Sequence, residues 1–161
     1  MLSMPMGIVR AALIIGGLAV GTPLEAQSVP ELRDIKLLEG KCNSDTQVGI
    51  ADDGSADFEH TPFACDSAIV SYHEERGSLM IQFVEKQSDD NRLLGFAGTL
   101  EGREMLRVER VYLAGGAAPL TPNEGYCKLF WEGRTLGSVA CGAQIDAEGK
   151  RIVPVVGFQA N

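Results

Sequence analysis

The chain has 161 residues and is acidic, with 14 lysines and arginines against 22 aspartates and glutamates and a net charge of −8. A domain of this charge repels nucleic-acid phosphate and anionic lipid, so the composition argues against nucleic acid as a partner and favours a cationic protein. The length fits one ordinary domain behind a short leader, and no stretch is long enough to act as a linker between two domains.

The N-terminus has the three parts of an export signal in the usual order. Arg10 supplies the basic start, residues 11–20 form an apolar run, and a helix-breaking segment ends at Ala26. The run is shorter than the ~20 residues that span a bilayer, which favours cleavage over the alternative of a retained anchor. We therefore predict a signal peptide over residues 1–26 and a single mature domain over residues 27–161, located in the periplasm or outside the cell, with no transmembrane segment after cleavage.

Four cysteines occur in the predicted mature part, an even number that favours disulfides in an exported chain. Zinc ligation is the weaker alternative, because the chain has no Cys-x-x-Cys pair. Three connectivities are open. We prefer Cys42 with Cys65 and Cys127 with Cys141, because each bond then closes a short local loop.

The mature chain begins with a helical pattern. A capping box at Ser28 and apolar residues spaced by three predict a short N-terminal helix over about residues 29–39. The polar and acidic stretch that follows indicates turns around a short strand at residues 47–50.

A first hairpin follows, with a two-residue turn at residues 76–77 or, because arginine is not the best first residue of such a turn, a longer loop. The two-residue turn places Tyr72 opposite Ile81 and Val70 opposite Phe83, so that all four side chains share one face. The polar residues between them fall on the other face, as in a half-buried antiparallel pair.

Two further hairpins are predicted downstream. The second joins residues 93–100 to residues 105–113, with a slip in register before Val111. In the third, a loop at residues 133–135 places Cys127 directly opposite Cys141, a separation that a disulfide can bridge.

The chain ends with short strands at residues 144–146 and 151–159, and Pro154 assigns the last one to a sheet edge or a bulge. The pattern therefore predicts an all-β fold of about seven or eight antiparallel strands in up-and-down order, with the short helix before them. Such a sheet forms a small antiparallel β-barrel or a sandwich.

The sequence offers no set of residues that indicates catalysis. His73 lies on the outer face of the first hairpin beside two glutamates, and no Gly-x-Ser-x-Gly motif is present. The acidic residues 52–59 lack the spacing of a calcium loop and indicate a solvated turn. We predict no catalytic residue, no bound metal and no cofactor, and hence no enzyme. The pair Phe130 and Trp131 indicates core or barrel rim, or alternatively a contact patch.

Part of the chain resembles the periplasmic and membrane-bound inhibitors of c-type lysozyme, which are small eight-stranded antiparallel barrels. The resemblance covers residues 63–143 and rests on these segments: Phe63-Ala64-Cys65-Asp66 before Val70-x-Tyr72, Gly-Gly-Ala at residues 115–117, and Phe130-Trp131-Glu132-Gly133.

Three positions depart from that family's motifs. The recognition loop carries Ser-Gly-x-x-Tyr in the family, whereas Gly115 replaces the serine and Pro119 the tyrosine here. Glu132 stands where the second motif has lysine. In the family the serine and lysine engage the carboxylates of the lysozyme cleft, so an acid at the lysine position predicts a weaker contact. The resemblance carries over Gly116 and Gly133, and together with Trp131 these form the predicted contact patch.

The function expected from these features is that of an exported, non-catalytic binding or inhibitor module. Its expected partner is a cationic protein of the lysozyme type or a component of the cell envelope. Alternatives are an envelope assembly or structural protein, a carrier that holds a small molecule or lipid inside the barrel, and an enzyme whose catalytic residues are dispersed in sequence.

Overall fold

A computed structural model describes residues 34–86, 92–113 and 118–161. In these residues the protein is all-β, as predicted, with ten antiparallel strands in one sheet and a single 3-10 turn at Glu74–Arg76. The strands are β1 Asp34–Cys42, β2 Gln47–Asp52, β3 Glu59–Pro62, β4 Ser67–His73, β5 Ser78–Glu85, β6 Arg92–Glu101, β7 Met105–Tyr112, β8 Glu124–Glu132, β9 Thr135–Ala147 and β10 Lys150–Ala160.

The ten strands occupy eight positions across the sheet. The order is β1-β4-β5-β6-β7-β8-β9-β10-β2-β3, and β1 also pairs with β10. Strands β1 and β2 follow one another along the same edge of β10, where Gly40 pairs with Ala160 and Gln47 with Val155. On the other side of these two strands, β3 pairs with β2 and β4 pairs with β1, so β3 and β4 also share one position in the sheet. The predicted seven or eight strands therefore correspond to these positions, two of which are interrupted.

The predicted N-terminal helix is wrong. Residues 34–39 of the predicted span lie in strand β1, and residues 29–33 lie outside the described residues. Strand β1 pairs with β4 along its first six residues and with β10 along its last three, so its backbone hydrogen bonds go to segments far away in sequence. Three apolar residues spaced by three are a weak helical signal, and this long-range pairing overrides it.

The first hairpin has a longer turn than predicted. Val70 pairs with Ile81 and Tyr72 with Leu79, two residues away from the predicted partners, because the 3-10 turn and Gly77 separate the strands. A shift of two residues leaves every side chain on its predicted face. Val70 and Ile81 are accordingly fully buried.

The second hairpin has the predicted slip before Val111, present as a bulge between Ala97 and Gly98. The third hairpin has the predicted register away from its turn. In the third hairpin the turn has two residues rather than three, and a bulge between Phe130 and Trp131 restores the register. Cys127 therefore lies opposite Cys141, as predicted.

Both predicted disulfides are confirmed. Cys42 and Cys65 join the end of β1 to the segment before β4, with their Cα atoms 5.0 Å apart. Cys127 and Cys141 join β8 to β9, with their Cα atoms 4.0 Å apart. Disulfides of this kind are typical of an oxidising compartment.

The inward faces of the strands form one continuous apolar core. At its centre the ring of Phe83 contacts the rings of Phe96 and Phe158, with centroid distances of 6.2 and 5.8 Å. Buried side chains from β4 to β10 surround these rings, so aliphatic and aromatic groups fill the interior. Within the described residues, none of the helical segments is long and apolar enough to cross a membrane.

Candidate binding surfaces

Two of the three predicted patch residues lie at one corner, where the turn between β6 and β7 meets the turn between β8 and β9. Trp131 is half-buried at the end of β8, and Gly133 occupies the following turn with a φ of +63°. Both line a surface depression of about 300 Å³ together with Arg103. The third residue, Gly116, lies outside the described residues.

The indole of Trp131 and a terminal N–H of Arg103 are engaged within the protein, whereas the buried Nε of Arg103 has no hydrogen-bond partner among the described residues. The indole N–H of Trp131 donates to the carbonyl oxygen of Arg103 at 3.0 Å. The Arg103 guanidinium lies 5.0 Å from the centre of the indole ring and donates to the carbonyl oxygen of Gly133. These contacts are a cation–π interaction and two hydrogen bonds that tie the two turns together. The corner is thereby a fixed platform, and its role in contacting a partner stays a prediction.

Beside the platform, Glu104 forms an exposed ion pair with Lys128 of β8. The hydrogen bond and the positive charge of Lys128 lower the pKa of Glu104 below its ordinary value of 4.5. The positive charge of Lys128 is thus balanced by Glu104 within the protein.

A second surface, which we call the acidic cleft, lies between β1 and the turn that joins β8 to β9. It has a volume of about 320 Å³ and is lined by Glu39 and Glu132, with Leu37 beside them. The side chain of Glu132 lies across Gly137, because a Cβ placed on that glycine would be 3.1 Å from Glu132 Oε1. Leu37 keeps 60% of its surface exposed.

The acidic cleft carries uncompensated negative charge. Among the described residues, no lysine or arginine lines it, and neither glutamate is in an ion pair. Two carboxylates beside an exposed aliphatic side chain suit a lysine or arginine, whose stem is apolar and whose head is charged. Across the residues that the structure describes, no group of three or more His, Cys, Asp or Glu side chains is placed to hold a metal ion.

The comparisons with known proteins give no relative. No family model, no curated protein and no solved structure matches this chain.

The sequence singles out Glu132 only as a departure from the family motif, not as a binding residue, and it does not reveal the neighbours of Glu132 in the acidic cleft. Leu37 and Glu39 fell within the predicted helix, and their approach to Glu132 depends on β1 lying beside β10. That pairing joins the two ends of the described chain, and no local pattern reveals it. In the structure the side chains alternate as expected for a strand, with Leu37 and Glu39 exposed and Leu38 buried, but the adjacent leucines hide this alternation in the sequence.

Proposed function

We propose that this protein is an exported, non-catalytic binding module whose partner is a cationic protein. The observation that carries the proposal is the acidic cleft, where Glu39 and Glu132 stand beside exposed Leu37. The net charge of −8 would draw a basic partner towards the domain from any side, and the cleft provides a local site for one of its side chains.

The chemistry of the cleft favours a long basic side chain. The aliphatic stem of a lysine or arginine packs on Leu37, and its charged head reaches the carboxylates of Glu39 and Glu132. Trp131 and Gly133 of the fixed platform flank Glu132 in the chain, and the contacts of the platform hold this part of the turn in place. A preorganised surface of this kind loses little conformational entropy on binding.

The location proposed for this activity is the periplasm or the cell exterior. The export signal predicted over residues 1–26 and the two disulfides both support it. The return of the strand pairing to β1 supports a small closed barrel, the architecture of the lysozyme inhibitors that the sequence resembles. The aromatic and aliphatic side chains that fill the interior favour binding at the surface over a carrier function.

A c-type lysozyme is the probe of choice, because it is a basic protein and the partner of the family that the sequence resembles. We expect the purified exported protein to bind hen-type lysozyme in isothermal titration calorimetry and to inhibit its glycan hydrolysis, with both effects weakening as salt rises. The double variant Glu39→Gln/Glu132→Gln should lower the affinity about tenfold.

The matched control is Glu59→Gln/Glu75→Gln, which removes the same charge from two exposed positions outside the cleft. If the two double variants lose affinity equally, net charge alone drives binding and the cleft is not the site. Absence of binding at a large molar excess in low salt would rule out lysozyme, and absence of binding to other basic proteins as well would overturn the proposed function.

A further inference from the structure

A separate groove lies on the outer face of the sheet where β8, β9, β10 and β1 run side by side. Phe130 of β8 pairs with Ser138 of β9, which pairs with Gln159 of β10, which pairs with Lys41 of β1. One row further along, the outward positions are Ala140 and Gly157, so the floor is made of small residues. The groove has a volume of about 380 Å³, within the range of small-molecule sites.

An exposed aromatic ring forms one wall of this groove. Phe130 keeps 48% of its surface exposed, although phenylalanine is usually buried. The low floor of Ser138 and Ala140 leaves one face of the ring open to a ligand in the groove. A flat ligand with polarised C–H groups would lie against the negative face of the ring.

The opposite wall offers hydrogen-bonding groups in fixed positions. A Cβ on Gly157 would lie 2.3 Å from Asn43 Nδ2, so the amide of Asn43 fills the space above that glycine. The Thr46 hydroxyl donates to Asn43 Oδ1 at 2.9 Å, which fixes the amide and directs its N–H groups away from that bond. Gln159 donates through Nε2 to the Gly137 carbonyl at 3.1 Å, which leaves its Oε1 as an acceptor.

Lys41 is the one charged side chain that lines the groove among the described residues. It is in no ion pair within that part of the chain, although the protein carries eight more acidic than basic residues. A positive charge without a carboxylate partner, beside amide and hydroxyl groups, favours a ligand that brings its own carboxylate.

We propose that this groove binds an oligosaccharide that carries a carboxylate, such as a uronic acid. The C–H face of a sugar ring stacks on Phe130, its hydroxyls bond to Asn43 and Gln159, and its carboxylate pairs with Lys41. A peptide fits less well, because strand addition needs a free edge and β8, β9 and β10 each have neighbours on both sides. This groove borders the acidic cleft, because Lys41 and Glu39 lie two residues apart on the outward side of β1, but the two sites are lined by different side chains.

Titration of the full-length exported protein with trigalacturonate, followed by nitrogen-15 NMR, tests the proposal. We expect saturable shifts at the backbone amides of Ala140 and Gly157 and at the side-chain amide of Asn43. The methyl ester of the same sugar is the matched neutral ligand and should bind about tenfold more weakly. In the variant Lys41→Gln the acid and the ester should bind equally.

Three variants complete the test. Phe130→Ala should weaken binding of the acid about tenfold, and Ala140→Leu should abolish it by filling the floor. Tyr126→Ala removes another exposed aromatic of β8 that does not line the groove, and it should leave binding unchanged. The cleft variant Glu39→Gln/Glu132→Gln should not weaken binding of the acid, because it removes two neighbouring negative charges that repel it, whereas it should weaken binding of a basic protein; this difference separates the site from the proposed function.

Two results would overturn the saccharide site. One is the absence of saturable shifts in the groove at about 10 mM of either sugar, a concentration that detects even very weak binding. The other is unchanged affinity in both Phe130→Ala and Ala140→Leu. If the ester binds as tightly as the acid, the role assigned to Lys41 is wrong.

Discussion

The side-chain hydroxyl of Thr46 takes the place of a strand partner for the backbone of Gly157. Its oxygen accepts the backbone N–H of Gly157 at 3.0 Å and also lies 3.2 Å from the carbonyl oxygen of the same residue. Strand β10 pairs with β1 up to Phe158 and with β2 from Val155. Gly157 lies opposite the segment between β1 and β2, where the backbone N–H of Gly157 has no strand partner. Thr46 is 2% exposed, and its hydrogen bonds with Gly157 and Asn43 satisfy the buried hydroxyl.

The variant Thr46→Val tests this bond, because it keeps the shape of the side chain and removes the hydroxyl. We expect the free energy of unfolding to fall by about 1–3 kcal/mol, since the N–H of Gly157 loses its partner in a buried position. The measurement is urea unfolding with the disulfides intact, and Thr61→Val on exposed strand β3 is the control. Equal stability of the two variants would show that the hydroxyl contributes nothing.

The local parts of this fold could be predicted from the sequence. Alternation of apolar and polar residues located β4 to β9, and the opposition of Cys127 and Cys141 followed from a short turn between their strands. The turns themselves were less predictable, because a 3-10 turn or a bulge changes the register near the turn without disturbing the face that each side chain occupies.

The long-range parts could not be predicted in this way. The local pattern of β1 predicts a helix because the partner strand β10 lies over 100 residues away. The edge position predicted from Pro154 is wrong, because β10 lies between β9 and β2. The pairing of β10 with β9 is interrupted at Val153 and Pro154. The acidic cleft and the Phe130 groove both depend on that placement of β10, so neither could be found from local patterns.

The two disulfides should differ in their resistance to reduction. Cys127 and Cys141 are 0% and 4% exposed in the core, whereas Cys42 is only partly buried at the end of β1. A thiolate must reach a sulfur atom to attack it, so dithiothreitol should reduce the Cys42–Cys65 bond first under native conditions.

Timed alkylation followed by peptide mass spectrometry measures the order of reduction. We expect the bond between Cys127 and Cys141 to persist until the protein unfolds. Repetition in about 6 M guanidinium chloride is the control, since both bonds should then be reduced at similar rates. Prior loss of the core bond in the native protein would contradict the burial that the structure assigns to it.

Gly98 should tolerate no side chain. A Cβ at this position would lie 1.8 Å from the carbonyl oxygen of Arg107, because β7 approaches closely at the bulge between Ala97 and Gly98. The variant Gly98→Ala should therefore lower the free energy of unfolding by about 3 kcal/mol. The control is Gly142→Ala, whose Cβ would meet its nearest neighbour at 4.0 Å. Chemical denaturation compares the two, and equal stability would contradict the close approach at the bulge.

The ion pair between Glu104 and Lys128 should be visible in a pH titration. Because the pKa of Glu104 is lowered in the folded protein, its stabilising contribution is present above its ordinary value of 4.5 and is lost as the pH falls through the folded pKa. The variant Lys128→Gln should raise the pKa of Glu104 towards 4.5, as followed by the carbon-13 signal of its carboxyl group. Lys86→Gln, which removes a distant exposed lysine, should leave that pKa unchanged.

Trp131 is best tested with a variant that keeps an aromatic ring and removes the N–H group. Trp131→Phe loses the hydrogen bond to the Arg103 carbonyl and should lower the free energy of unfolding by about 1 kcal/mol. We expect the affinity of Trp131→Phe for a basic protein to fall less than twofold, because the carboxylate of Glu132 remains in place. The affinity is measured by calorimetry, and circular dichroism checks that the fold is intact. A loss of tenfold or more would show that the indole itself contacts the partner, as in the contact patch predicted from the sequence.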